Sequence, residues 1–215
     1  MRETHKTHLW AGSPVQLVLA TNNQDKVREI KQLLNDLPVT ILTADDFQDF
    51  PDIEETGSTL EENARLKANG IAKFTGQAAL ADDSGLEVDA LDGAPGVYSS
   101  RYAGVNVTYD DNNQKLLKQL HGVSQKQRSA RFRCVIAIDW GDGTTDTCEG
   151  ACEGFIAEDV IGHEGFGYDP VFYYPPADKR FSEMTTAEKN EVSHRGLALE
   201  AAKGLILQRL SRSPD

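Results

Sequence analysis

Cysteine and long apolar runs are both scarce in this sequence. Its 215 residues contain three cysteines, Cys134, Cys148 and Cys152. An odd number of cysteines without a histidine nearby forms neither a disulfide framework nor a good zinc site, so a reducing cytoplasm is the expected compartment. No segment approaches the roughly 18 apolar residues of a membrane span, and no apolar signal core opens the chain. We therefore expect no membrane partner.

Basic residues are also few. Asp and Glu number 34 against 22 Lys and Arg, which gives a net charge of −12. Nucleic acid and anionic membrane surfaces both require a basic footprint, so this balance argues against either as a partner. A small polyanion is not excluded, because a few local lysines and a divalent metal can reverse the electrostatic field inside a cleft.

Several familiar nucleotide and hydrolase motifs are absent. The sequence has no G-x-x-x-x-G-K-[ST] and no strand followed by G-x-G-x-x-G, which argues against P-loop and Rossmann-type nucleotide sites. The G-x-S-x-G elbow of α/β-hydrolases and the H-E-x-x-H zinc motif are also missing. The chemistry is therefore expected in polar residues near the ends of predicted strands, where α/β folds place their ligand crevice.

Hydrophobic periodicity alternates between strand and helix along the chain. It predicts strands at 15–21, 38–42, 78–81, 130–140, 144–157 and 171–174, with 130–140 and 144–157 joined as a hairpin. Capping residues and helical spacing predict helices at 26–35, 58–76, 108–120 and 185–210. The expected fold class is α/β, with a mixed sheet and flanking helices. Residues 1–14 are expected to form a flexible tail and residues 15–215 a single domain.

The first polar cluster lies between a predicted strand and a predicted helix. Thr21, Asn23 and Lys26 offer a hydroxyl, an amide and an ammonium beside the free N–H groups of a helix start, and such donors suit phosphate oxygens. A capped helix with a solvated lysine explains the same residues without a ligand. Spacing alone leaves both interpretations open.

Acidic residues form a second cluster. Asp82 and Asp83 are expected at the end of a strand, with Glu54 and Glu55 upstream. Mg²⁺ prefers hard oxygen ligands, commonly one or two carboxylates with water and substrate phosphates completing the shell. Adjacent aspartates on a strand point to opposite sides, so only one is expected to reach a cleft. A turn carboxylate and a solvated acidic loop are the alternatives without a site.

Two glycine-rich loops and one helix start carry aromatic and basic residues. The loop 93–102 includes two tyrosines and an arginine, and the loop 165–170 places aromatic residues beside glycines. A ring held on such a loop can stack on a nucleobase, although an ordinary turn with a buried phenylalanine shows the same pattern. Lys189, His194 and Arg195 are expected to open the last helix, where a solvated basic helix end is the alternative. Together the clusters indicate one site.

Several segments together resemble one protein family. They are TNNQDK, EETG with ENARLK, ADDSGLEVDALDGAPGVYSSRYAG, EGFGYDPVFY and FSEMTTAEKNEVSHRG. Their content and order are similar to those of the inosine/xanthosine triphosphate pyrophosphatases, which act on non-canonical purine nucleotides. The resemblance covers the chain from about residue 15 to residue 210, and the segment before Pro14 is a departure from the family pattern.

The resemblance implies a fold and an activity. The fold is an elongated α/β structure with two lobes around a central cleft, usually in a homodimer. The activity is Mg²⁺-dependent cleavage of ITP, dITP and XTP between the α- and β-phosphates, which gives the nucleoside monophosphate and pyrophosphate. The expected partner is thus a nucleoside triphosphate, and the expected cofactor is Mg²⁺.

The resemblance also assigns roles to individual residues. Asp83 corresponds to the general base and, together with Glu55, to the metal ligands, with Glu54 as the one-residue alternative to Glu55. Substrate contacts are implied for Thr21, Asn23, Lys26 and Lys67 at the phosphates, for Ser84, and for Phe166, Gly167, Tyr168, Asp169, Lys189, His194 and Arg195 around the nucleoside.

Three other functions fit part of the pattern. A Maf-type pyrophosphatase for pyrimidine or modified nucleotides would share the general fold, but the FGYD and SHR segments argue against it. A nucleotide-binding regulator without catalysis has little need for Glu55, Asp83 and Lys26 together. A structural or interaction protein has no evident use for glycine and charge gathered near strand ends.

Overall fold

Residues 15–162 and 164–212 are described by the computed structural model. The predicted tail at 1–14 lies outside the described residues, so the division of the chain into a tail and a single domain stays a prediction. Within the described residues, no helix has both the length and the apolar composition needed to cross a membrane.

Strands and helices alternate along the described chain. The strands are β1 (Val15–Leu19), β2 (Val39–Leu42), β3 (Ala78–Val88), β4 (Pro95–Gly96), β5 (Ser129–Asp139), β6 (Thr145–Ile156), β7 (Phe172–Tyr174) and β8 (Lys179–Arg180). The helices are α1 (Gln24–Leu33), α2 (Leu60–Thr75), α3 (Tyr109–Gln119), α4 (Thr186–Val192) and α5 (His194–Ser211).

These strands form one mixed sheet. Its order is β2-β1-β3-β5-β6-β7-β8, and β4 pairs with the far part of β3. β1 is parallel to β2 and β3, whereas β5 to β8 continue the sheet by antiparallel pairing. The expected α/β class with a mixed sheet is therefore confirmed. The predicted hairpin is β5–β6, and its turn uses Gly141 and Gly143, both at positive φ, where a side chain would be strained.

Apolar clusters cover both faces of the sheet. Leu17 and Val18 are neighbours on β1, so their side chains point to opposite faces. The Leu17 face packs with Trp140 under α1 and α5, and the Val18 face packs with Ile71 of α2. A third cluster around Phe172 fills the other half of the molecule, beside α3 and β7. The two predicted lobes thus share one sheet, with β3, β5 and β6 running through both.

β3 differs most from its prediction. The predicted strand ended at Ala81, but β3 continues through residues 82–85 to Val88 and pairs with β5 along nearly its whole length. On its other side, β1 and β4 pair only with the two ends of β3. Among the described residues, positions 82–85 therefore have no strand neighbour on that side, and a bare edge opens between the lobes.

The last predicted helix is divided in two. Ser193 between α4 and α5 is extended, and its hydroxyl caps α5 by accepting from the Gly196 N–H at 3.1 Å. The helices meet closely there, since a Cβ at position 196 would lie 1.8 Å from the Asn190 carbonyl oxygen. Placing Lys189 and His194 on one helix was therefore wrong, and the break lets the two side chains approach the cleft from different helices.

Capping residues set the other helix starts. Thr108 and Thr185 cap α3 and α4 as predicted. α2 begins two residues later than predicted, because the Thr59 side chain caps it by accepting from the Glu62 N–H at 3.1 Å.

Candidate active site

The bare edge of β3 lies on a cleft of about 590 Å³. That volume is within the range of small-molecule sites. Every site residue suggested by the sequence lines it: Thr21, Asn23, Lys26, Glu55, Lys67, Asp83, Ser84, Phe166, Gly167, Tyr168, Asp169, Lys189, His194 and Arg195. Glu54 lines the cleft as well, but it is exposed whereas Glu55 is half-buried. The fold therefore brings all of the separate sequence clusters to one place.

One end of the cleft, which we call the carboxylate end, is formed by Lys26, Glu55, Lys67 and Asp83. Lys67 Nζ lies 2.8 Å from Glu55 Oε1, 2.7 Å from Asp83 Oδ1 and 2.9 Å from the Asp82 carbonyl oxygen. That carbonyl is available because it belongs to the bare edge of β3. The three N–H donors of the Lys67 ammonium are therefore all engaged.

Asp82 is buried behind the cleft, and its carboxylate connects three residues of the cleft wall. Its carboxylate binds Lys26 Nζ at 2.6 Å and Arg195 Nε at 2.7 Å, and Ser84 Oγ donates to it at 3.0 Å. Burial alone would raise the pKa of Asp82, but Arg195 and Lys26 outweigh burial and hold that pKa well below its ordinary value. Asp82 is thus ionised and committed to internal pairs, while Asp83 lines the cleft, as expected for neighbours on a strand.

The other end, which we call the aromatic end, is formed by Phe166, Asp169, Lys189 and Arg195. Lys189 Nζ lies 2.7 Å from Asp169 Oδ2 and 3.1 Å from Glu29 Oε1. Arg195 Nη1 lies 2.7 Å from Glu29 Oε2. The half-buried Phe166 ring has Lys189 Nζ at 4.8 Å and Arg195 Cζ at 5.5 Å from its centroid, within cation–π range. This end therefore combines a flat ring with buried hydrogen-bond donors.

The two carboxylates that share Lys67 have pKa values shifted in opposite directions. Burial raises the pKa of Asp83, and the charge of Glu55 adds to that rise, so Lys67 does not cancel it. Burial alone would also raise the pKa of Glu55, but Lys67, Lys26 and Arg101 lower it below its ordinary value. A carboxyl pair separated in this way has one member suited to accept a proton while the other stays charged.

His194 forms a neutral wall of the cleft at the start of α5. Its ring stacks on Phe132, with centroids 4.6 Å apart and planes 12° apart. Burial, together with Arg195 and Lys189, lowers the pKa of His194 well below its ordinary value. Its Nδ1 is buried and has no hydrogen-bond partner among the described residues. The imidazole is therefore uncharged beside two cations.

The sequence left open whether the turn before α1 is a helix cap or part of a ligand site, and the structure shows a helix cap that also lines the cleft. Asn23 Oδ1 caps the helix by accepting from the Asp25 and Lys26 N–H groups at 2.9 and 3.2 Å, and Thr21 Oγ1 accepts from the Asn23 N–H at 3.2 Å. Lys26 is not a solvated lysine, since its side chain is 17% exposed and paired with Asp82. The turn is a helix cap and also part of the cleft wall.

The structure adds residues to which the sequence assigned no role. Glu29 joins the two cations of the aromatic end, Arg101 Nη1 lies 3.2 Å from Glu55 Oε2, and Tyr109 lines the cleft. The sequence could have indicated Glu29, because it follows Lys26 by three positions on a predicted helix and therefore lies on the same helix face. Arg101 belongs to the loop 93–102, which the sequence singled out without giving its arginine a role. Tyr109 is the first residue of α3, and helical spacing alone does not show that its side chain faces a cleft.

The carboxylate end is compatible with a divalent metal. Glu55 and Asp83 each present an oxygen within 2.8 Å of the same Lys67 Nζ, so they already converge on a cation. The part of the chain that the structure describes contains no group of three or more His, Cys, Asp or Glu side chains placed to hold a metal. The protein would therefore supply two carboxylates, a donor set that Mg²⁺ accepts when substrate phosphates and water complete its shell.

Comparisons with known proteins decide the family. A model of the Ham1 family matches residues 17–205. The chain belongs to the Ham1 family. The relatives of this chain include the dITP/XTP pyrophosphatase of Desulforamulus reducens, 52% identical over 91% of this chain and 97% of that protein. The dITP/XTP pyrophosphatase of Geobacter sulfurreducens is 50% identical over 87% of this chain and 94% of its own length.

Solved Ham1 structures agree with the fold described above. A HAM1 protein from Coxiella burnetii is 46% identical with a TM-score of 0.83, and the Staphylococcus aureus Ham1 protein is 40% identical with a TM-score of 0.81. Each comparison covers 90% of this chain and 99% of the other. The family resemblance drawn from the sequence motifs is therefore confirmed, and so is the Ham1 fold.

Proposed function

We propose that this chain hydrolyses ITP, dITP and XTP to the nucleoside monophosphate and pyrophosphate, with Mg²⁺ as cofactor. Relatives that carry the name dITP/XTP pyrophosphatase support the substrate class. The observation that carries the proposal is the division of one cleft into a carboxylate end and an aromatic end. Such a cleft suits a ligand with a phosphate chain at one end and a flat base at the other.

Asp83 is the proposed general base. The pKa of Asp83 is raised towards neutral pH, and a general base is most efficient when its pKa lies near the working pH. Lys67 holds Asp83 Oδ1 at 2.7 Å and so fixes the carboxylate in the cleft. Asp83 orients a water towards the α-phosphorus and takes its proton as the new P–O bond forms. The bond from the α-phosphorus to the bridging oxygen breaks, and pyrophosphate leaves.

Glu55 and Asp83 are the proposed Mg²⁺ ligands. When bound, Mg²⁺ supplies Lewis-acid stabilisation of the charge on the leaving pyrophosphate. Lys67 keeps the two carboxylates together, and Glu55 is preferred over Glu54 because its side chain is half-buried and turned to Lys67. Calorimetric titration with Mg²⁺ tests this choice: Glu55→Gln is expected to lose binding, and Glu54→Gln is the matched control that keeps it.

Lys26, Thr21 and Asn23 are proposed to bind the phosphate chain. They lie at the start of α1, where the helix dipole favours negative charge. Lys26 Nζ is anchored by Asp82, and its side chain still reaches the cleft. An ammonium in this position neutralises phosphate oxygens without moving.

Arg195 is proposed to select the base. Hypoxanthine and xanthine present a 6-oxo acceptor, whereas adenine presents a 6-amino donor. Arg195 Nη1 and Nη2 donate to Glu29 and Ser84, and each of these nitrogens carries a second N–H. With ATP, a buried donor would face another donor, which costs about 1–3 kcal/mol per unpaired group. Phe166 supplies the face on which the base stacks.

One assay tests the proposal against its alternatives. Pyrophosphate and orthophosphate release are measured from ITP, XTP, GTP, ATP and UTP, with and without Mg²⁺. We expect pyrophosphate, fastest from ITP and XTP, and only with Mg²⁺. Preference for UTP would favour a Maf-type enzyme, orthophosphate would mean that another bond is cleaved, and no turnover would favour a nucleotide-binding regulator. With isotope-labelled water, the label is expected in the monophosphate.

We also propose that the protein is a homodimer of the cytoplasm, as the family resemblance implies. Its three cysteines are free thiols, which is in keeping with a reducing compartment. Light scattering on the full chain checks the oligomeric state, and the mass of a single chain would contradict a dimer.

A further inference from the structure

Arg101 is the least buried cation of the cleft among the residues that the structure describes. Its side chain is 38% exposed, against 17% for Lys26, 11% for Lys67 and 6% or less for Lys189 and Arg195. It has no role in the proposed reaction as given above.

The guanidinium of Arg101 is oriented but lightly held. Its ion pair runs from Nη1 to Glu55 Oε2 at 3.2 Å, and its Cζ lies 5.3 Å from the centroid of the Tyr98 ring. A cation–π contact of this kind uses the face of the guanidinium and does not consume its N–H donors. Exposed ion pairs contribute little to stability, so the Glu55 pair can be exchanged for another anion.

The buried lysines near Arg101 have few N–H donors left for a phosphate. Lys67 donates all three of its N–H groups, to Glu55, to Asp83 and to the Asp82 carbonyl oxygen. Lys26 is held by both the carboxylate and the carbonyl oxygen of Asp82, at 2.6 and 3.4 Å. A phosphate chain with several negative charges therefore needs donors beyond these, and an arginine fork matches phosphate oxygens two at a time.

The position of Arg101 indicates which phosphates it would reach. Glu55 divides its carboxylate between Arg101 and Lys67, so the guanidinium lies at the carboxylate end. We propose that Arg101 leaves Glu55 and binds the terminal phosphates of the nucleoside triphosphate, so that it sets the preference for a triphosphate chain. This inference rests on the proposed function, because it takes the carboxylate end to be the phosphate end.

Binding of three probes to the full chain tests the proposal. Calorimetry compares inorganic tripolyphosphate, IMP and ITP on the wild type, Arg101→Gln and Arg101→Lys. Tripolyphosphate carries the phosphate chain alone, and IMP lacks the terminal phosphates. Arg65→Gln is the matched control, because the Arg65 side chain is 39% exposed, has one carboxylate partner, Glu61 at 2.8 Å, and lies outside the cleft.

Loss of an arginine–phosphate contact should weaken tripolyphosphate and ITP about tenfold or more in Arg101→Gln. We expect IMP affinity to stay within about twofold, because the partners of Arg101 are Glu55 and Tyr98 and neither belongs to the aromatic end. Arg101→Lys should recover part of the loss, and Arg65→Gln should bind like the wild type. The same variants are expected to raise KM for ITP more than they lower kcat.

Two results would overturn the role of Arg101. One is tripolyphosphate affinity that is unchanged in Arg101→Gln, and the other is an equal loss of IMP affinity, which would mean a general distortion of the cleft. Failure of the proposed function would look different, since the wild type itself would then release no pyrophosphate from ITP. That outcome overturns both proposals.

Discussion

The two ends of the cleft use similar residues at different depths. At the aromatic end, Lys189 and Arg195 are 6% and 3% exposed, and each pairs with two carboxylates. At the carboxylate end, Asp83 and Lys67 are also buried, at 8% and 11%, but exposure rises to 17% for Lys26, 27% for Glu55 and 38% for the adjoining Arg101. The charges of the aromatic end are therefore locked in place, whereas Glu55 and Arg101 at the outer side of the carboxylate end can change partners.

This difference matches what each end is proposed to do. Selection between bases needs donors that cannot adapt, because a wrong base is rejected only when buried groups stay unpaired. Phosphates and a metal must instead enter and leave during every turnover. Pairs near solvent are weak, so a substrate can replace them with little loss of stability. The following changes test whether the two ends really differ in this way.

Asp83→Asn should have the largest effect. The amide cannot take the proton of the attacking water, so kcat is expected to fall by about 10²–10⁴-fold. The aromatic end is untouched, and IMP affinity should stay within about twofold. Steady-state kinetics and calorimetry measure the two quantities. Asp89→Asn is the control at an exposed position near the end of β3, and a fall of less than about tenfold in kcat of Asp83→Asn would contradict the assignment.

Arg195→Ala should damage the aromatic end in two ways. Asp82 and Glu29 would each lose a buried partner, which typically costs about 3–5 kcal/mol of folding free energy. Urea unfolding measures that cost, and Arg65→Ala should change it by about 0.5 kcal/mol or less. If the variant folds, its ratio of kcat/KM for ITP over ATP should fall. An unchanged ratio would remove Arg195 from base selection, and Arg195→Lys repeats the test with the charge retained.

The same substitution at both ends compares them directly. Glu29→Gln weakens hydrogen bonds to two buried cations and should cost about 1.5–3 kcal/mol of unfolding free energy. Glu55→Gln weakens the pair with Lys67, which still has Asp83 as a partner, and the pair with the exposed Arg101. The expected loss of unfolding free energy is therefore about 1 kcal/mol or less. Urea unfolding of both variants is the measurement. Equal losses would mean that depth of burial does not separate the two ends.

Much of the fold was predictable because its signals are local. α2 has apolar residues at helical spacing and ends at Gly76, which adopts φ of 68° as a helix C-cap. The extension of β3 was not predictable in this way. Residues 82–85 are polar and acidic like a turn, and they form a strand because β5 pairs with them while cations from α1, α2 and α5 neutralise Asp82 and Asp83. Those cations come from distant parts of the sequence.

The membership of the site was predictable, but its connections were not. Motifs indicated that Lys67 belongs to the site, yet only the fold shows that its ammonium joins Glu55 to Asp83. Glu29 likewise gains its place from the break at Ser193, which turns α5 so that one carboxylate meets cations from two helices. Motifs record which residues occur, and the pairing of charges depends on how the elements pack.

His194 should give the smallest of these effects. In the folded protein the pKa of His194 lies well below the ordinary value, whereas in the unfolded chain the imidazole titrates at about 6.5. Above that pH neither state binds the proton. Below it only the unfolded state does, so the free energy of unfolding should fall as pH falls, by at most about 1.4 kcal/mol per pH unit. Urea unfolding between about pH 7.5 and 5.5 covers this window.

A variant without the titration isolates that slope. His194→Phe keeps a ring against Phe132, so its free energy of unfolding should fall less steeply towards acid than that of the wild type. His121→Phe is the matched control, because it makes the same exchange of side chains at an exposed position. Parallel curves for wild type and His194→Phe would mean that the folded protein accepts the proton. The aromatic end would then tolerate another positive charge beside Lys189 and Arg195. In that case its ion pairs would be as adaptable as those at the carboxylate end, and the proposed difference between the two ends would not hold.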